Sequence, residues 1–130
     1  MPPARKMVHL DTSFLIRALV AESAEAGRLR QWLRDRRPVA VSTLVWSEFL
    51  CGPLDEVALS VAGRIAYRHV PMGTQEATEA ARLLNHGGRK RGSFPDCVIA
   101  ATAKVAGAEL ATSNAADFRR FRDAGLELAE

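Results

Sequence analysis

Val8-His-Leu-Asp11-Thr-Ser13 decides how this chain is read. Residues 7–10 are mostly apolar and short enough for a strand. Residues 12–20 begin with two hydroxyls and continue through Phe14-Leu-Ile-Arg-Ala-Leu-Val20, as a helix with polar caps at its start would. Asp11 falls at the handover between the two.

The same alternation continues outward. Residues 24–37 predict a helix with Leu29, Trp32 and Leu33 on one face and Arg28, Arg30, Arg34 and Arg36 around the rest, ended by Pro38. Val39-Ala-Val41 is a β-branched strand, followed by an apolar helix over 43–51 that stops at Gly52-Pro53. Residues 54–67 predict a helix, 69–72 a short extended piece, and 74–85 an amphipathic helix with Ala77, Ala80, Ala81 and Leu84 in register. A glycine-flanked basic loop (87–93) leads to Pro95, which opens a nearly all-apolar helix to 106; a strand over 109–112, a short helix over 114–123 and a last extended piece at 126–128 complete the chain. Strands alternating with helices imply an α/β fold with a mostly parallel central sheet and helices on both faces.

Composition fits one domain over 1–130. The chain is 48% hydrophobic, enough for one core, and 25% charged. Eighteen Lys and Arg against fifteen Asp and Glu leave a net charge of +3 and a pI of about 9.3, which suits a polyanionic partner. Cys51 and Cys97 are far apart, with no C-x-x-C and no cysteine–histidine cluster. The basic opening at residues 1–6 is followed by His9, Asp11 and Arg17, which break any signal-peptide core, and no apolar run reaches bilayer length. A cytoplasmic protein without a membrane segment is the expectation. His9, His69 and His86 have no ligand spacing, and Phe14, Trp32 and Trp46 are assigned to packing.

Four carboxylates compete with simpler explanations. Asp11 reads first as a helix cap. Ser93-Phe-Pro-Asp96 and Asn114-Ala-Ala-Asp117 both allow an acid in a first helical turn. Glu48 differs: it is the only charge from Val39 to Gly52 and sits mid-helix among Val45, Trp46, Phe49 and Leu50, where capping has no part and only a distant Arg would neutralise it. Acids gathered at one sheet edge repel each other, and Mg2+ or Mn2+ would relieve that repulsion through hard oxygen ligands.

Val8-His-Leu-Asp11-Thr-Ser, Ser47-Glu48-Phe, Pro95-Asp96-Cys-Val-Ile-Ala-Ala101 and Thr112-Ser-Asn-Ala-Ala-Asp117-Phe resemble the PIN-domain nucleases, over essentially the whole chain. Order, spacing and length are most similar to the VapC-type toxins of toxin–antitoxin pairs. The resemblance implies a Mg2+- or Mn2+-dependent endoribonuclease with Asp11, Glu48 and Asp96 as core catalytic and metal-holding acids and Asp117 as the fourth. Thr112 and Asn114 match polar positions lining such sites. Ser113 stands where the commoner pattern has Arg. A cognate antitoxin and a homodimer are implied partners. Arg89, Lys90 and Arg91, in the loop before Asp96, are candidate RNA contacts, while Arg119, Arg120 and Arg122 read as a solvated helix face. A housekeeping RNA-processing PIN nuclease and a catalytically silent RNA-binding module are the alternatives. A phosphatase-like enzyme with Asp11 as nucleophile lacks a second acid near Asp11-Thr-Ser13.

Overall fold

The structure, a computed structural model, describes residues 6–129; the first five residues of the basic opening lie outside the described residues. The elements run β1 (Val8–Leu10), α1 (Thr12–Ala18), α2 (Ala24–Arg34), β2 (Val39–Ser42), α3 (Thr43–Leu50), α4 (Glu56–Ile65), β3 (His69–Val70), α5 (Thr74–His86), α6 (Phe94–Val105), β4 (Glu109–Ala111), α7 (Ala115–Phe118), a 3-10 turn (Arg119–Ala124) and β5 (Glu127–Leu128). The five strands form one parallel sheet in the order β3-β2-β1-β4-β5. Every residue of β1 and β2 is buried. Because successive side chains point to opposite faces, that pattern requires cover on both sides, which is the α/β arrangement expected.

The strand order also locates the crevice. From β1 the chain winds to β2 and β3 on one side, then returns through α5 and α6 to β4 on the other. The order therefore reverses between β1 and β4, where ligands gather outside the carboxyl ends of the strands in doubly wound sheets. The Asp11 amide donates to the Ala111 carbonyl at 3.0 Å, joining the two strand ends at that point.

Packing explains the departures from the sequence pattern. Helix α2 ends three residues early, at Arg34, because Arg36 turns left-handed (φ 58°) and the amides of Arg36 and Arg37 bond back to the Leu33 and Trp32 carbonyls. Its buried row is Ala26, Leu29 and Trp32, with Phe14 and Trp32 stacked at 5.4 Å, while Leu33 is exposed. In α5 the buried residues are Ala80 and Leu83, with Leu84 half-buried; Ala77 and Ala81 face solvent. Alanine favours helix wherever it stands, so it marks a buried face poorly. Helix α6 is buried continuously from Cys97 to Ala103, as its composition predicts.

Candidate active site

Asp11 follows β1 directly and is 4% exposed. It caps α1, its Oδ1 accepting from the Phe14 amide at 2.9 Å and from Ser13 Oγ at 2.7 Å. Its other oxygen accepts from Thr112 Oγ1 at 2.5 Å, a hydroxyl delivered by the end of β4. The cap and the crevice residue are thus one side chain. Asn114 closes this corner, its amide donating to Thr112 Oγ1 at 2.9 Å.

Glu48 reaches the same place from α3. It is half-buried, and its Oε1 accepts from Thr12 Oγ1 at 2.6 Å. A hydroxyl from α1, with no arginine in an ion pair among the described residues, is what the mid-helix acid meets. Asp96 lies in the first turn of α6 and takes no part in capping, since the Ser93 amide that it would accept from donates instead to the Lys90 carbonyl at 3.2 Å, as Ser93 Oγ does at 2.6 Å. Asp117, in the first turn of α7, is exposed.

The four acids come from four separated parts of the chain and line one cleft of about 300 Å³, together with Thr12, Ser13 and Asn114. Burial pushes the Asp11 carboxyl above the usual carboxylate range, against the hydrogen bonds that favour its charged form. Burial likewise raises Asp96; Asp117, Asp11 and Glu48 add to the shift by repulsion and Arg120 opposes it. Among the described residues no three His, Cys, Asp or Glu side chains form a ready-made ion-holding group. Asp11 and Glu48 instead turn their oxygens to hydroxyls and an amide. The donor set fits a hard divalent cation: it is all oxygen, its charges oppose one another, and among the described residues no lysine or arginine lines the cleft.

Arg120 departs from the solvated face expected of it. Its guanidinium lies 4.5 Å from the Phe121 ring centroid, Nη2 is buried without a hydrogen-bond partner, and its charge acts on Asp96 and Cys97. Nothing in the run Arg119-Arg120-Phe121-Arg122 distinguishes the arginine that folds inward. Glu25 was also missed: its Oε2 accepts from Ser113 Oγ at 2.7 Å and Arg17 Nε at 3.0 Å, while the Ser113 amide donates to Ser13 Oγ at 3.1 Å. Ser113, in the place of the commoner Arg, thus joins the cleft's edge to an ion pair. Arg89, Lys90 and Arg91 are exposed and do not line the cleft.

Among the described residues no helix is long and apolar enough to cross a membrane. No curated protein matches the sequence. Among solved structures the chain is similar to VapBC2 from Rickettsia felis bound to a DNA fragment from their promoter (TM-score 0.73, 19% identity, 95% of this chain and 97% of that one). It is also similar to DNA-bound VapBC from Salmonella typhimurium (TM-score 0.70, 22% identity, 95% and 97%) and to a toxin–antitoxin complex from Klebsiella pneumoniae (TM-score 0.64, 25% identity, 86% and 90%). The family model for the PIN domain matches residues 8–124, and with that span the chain belongs to the PIN-domain family.

Proposed function

We propose that this chain, as a single domain, is a divalent-metal-dependent endoribonuclease and the toxin of a VapBC-type pair. The observation that carries the reading is the convergence of Asp11, Glu48, Asp96 and Asp117 on one cleft at the switch point of the sheet. Similarity to VapBC structures and to a complex described as toxin–antitoxin supports an antitoxin partner, and the free thiols Cys51 and Cys97 suit a cytoplasmic setting. A homodimer is part of the same reading.

Asp11, Glu48, Asp96 and Asp117 would hold Mg2+ or Mn2+. Bound there, the cation would lower the pKa of an attacking water and stabilise the leaving oxygen of a phosphodiester. The chain's own residues prepare that chemistry. Thr112, Ser13 and the Phe14 amide fix both oxygens of Asp11, and Thr12 orients Glu48. Arg120 offsets part of the acids' mutual repulsion. Arg89, Lys90 and Arg91 would meet phosphates, and their loop is tied to the start of α6 by the bond from Ser93 to the Lys90 carbonyl.

The test is cleavage of single-stranded RNA by purified protein with Mg2+ or Mn2+, giving 5′-phosphate ends and no products in excess EDTA. Expression of the wild type should arrest growth, and expression of Asp11→Asn should not. Full cleavage in chelator would overturn the metal-dependent reading.

A further inference from the structure

The opposite edge of the sheet carries a second charged site. Arg36 and Arg37 lie between α2 and β2, Arg64 in the last turn of α4, and Tyr67 and Arg68 immediately before β3. All belong to the edge where the parallel strands begin, away from the acidic cleft beyond their carboxyl ends. At about 3.3 Å per residue, the three to four residues of β1 and β2 separate the edges by on the order of 10 Å. The four arginines line one pocket of about 460 Å³, and among the described residues no carboxylate lines it.

The pocket is built on fixed backbone. The Pro38 carbonyl accepts from the Val8 amide at 2.9 Å and the Arg68 carbonyl from the Val41 amide at 3.1 Å, so both walls are pinned to the central strands. Arg37 is structural: it bonds the Lys6 carbonyl and Glu109 and lies over the Trp32 ring. Arg36, Arg64 and Arg68 are exposed and have no acidic partner among the described residues. Tyr67 stands beside them at 72% exposure. Arg36 also holds φ 58°, a left-handed conformation that costs an L-residue free energy and that glycine adopts freely.

We propose that this pocket is a second RNA-binding site, in which Arg36, Arg64 and Arg68 hold the phosphodiester backbone of a single-stranded stretch and Tyr67 stacks on one of its bases. Unpaired guanidinium groups suit phosphate, and an exposed ring suits a nucleobase irrespective of sequence. The inference rests on RNA as the substrate and extends it: the substrate is long enough to reach from the acidic cleft to the far edge of the sheet.

The test measures binding without cleavage, by fluorescence anisotropy of a labelled single-stranded RNA of about twenty nucleotides in EDTA. Arg64→Ala/Arg68→Ala should weaken binding about tenfold and make the slope of log affinity against log salt shallower by about 1.4, the single-strand value for two phosphate contacts. Tyr67→Ala should weaken it by a similar factor with the slope unchanged. The melting shift produced by Mn2+ should be as large in these variants as in the wild type, showing an intact acidic site. Arg36→Gly provides a variant that relieves strain, so weaker binding there is not misfolding. Unchanged affinity and slope in all three variants would overturn the proposal, as would tighter binding of an acidic peptide than of RNA in the same pocket. Failure of the nuclease reading would look different: wild type that binds the RNA and does not cut it.

Discussion

The two edges of the sheet carry opposite unneutralised charge. At the carboxyl edge four acids share a cleft, and the oxygens of Asp11 and Glu48 accept from hydroxyls and one amide. At the amino edge four arginines share a pocket with no acid in its lining among the described residues. Other charges are paired: Arg37, alone of these four, with Glu109, and Glu79 with Arg82 and Lys104. Net charge therefore says little about where a polyanion is engaged. What matters is where like charges are left together, because such groups are costly in the free protein and gain most from a ligand of opposite sign.

The largest effect belongs to the acidic edge. Asp11→Asn retains capping ability and removes the charge, so RNA cleavage should fall on the order of 1000-fold or more while the fold survives. The melting shift produced by Mn2+ should shrink with it. Retained cleavage in a folded Asp11→Asn protein would leave Asp11 a cap alone and dissolve the contrast between the edges.

Between the edges lies His9, 2% exposed, with Nε2 unpartnered. Burial lowers its pKa from 6.5 to about 4. The unfolded chain then binds a proton that the folded one refuses, so the contribution of His9 to stability is full above pH 6.5 and is lost as pH falls toward 4, by about 3 kcal/mol at most. His9→Leu should flatten that part of the stability–pH curve measured by denaturant titration. An unchanged slope would show that His9 gains a partner in solution.

At the basic edge, Arg36→Gly should raise stability by about 1 kcal/mol through relief of the left-handed conformation, offset in part by the freedom glycine adds to the unfolded chain. It should at the same time weaken RNA binding. A variant both less stable and equally tight would mean that the arginine packs the turn. The smallest effect is expected at the rim of the cleft, where Arg17 is well exposed: Arg17→Ala should change the melting free energy by less than about 1 kcal/mol, since exposed ion pairs contribute little.

Much of the architecture was legible because its signals are local. The strand–acid–hydroxyl order of residues 8–13, the β-branched run at 39–41 and the unbroken apolar helix after Pro95 each announce their own element. Alanines at 77 and 81 misled, since their helix propensity says nothing about which way they face. Leu33 misled because the chain leaves the helix just beyond it.

From the sequence by itself came the alternation of strands and helices, the four acids in order, and the odd position of Glu48 in an apolar helix. Its hydroxyl partner on α1, the inward turn of Arg120 and the gathering of Arg36, Arg64 and Arg68 were decided only by tertiary structure. The physical reason is range. Propensity and periodicity act over a few residues, whereas these contacts join segments tens of residues apart whose meeting is set by strand order, and a charged side chain carries no mark in the sequence of which distant neighbour will leave it unpaired.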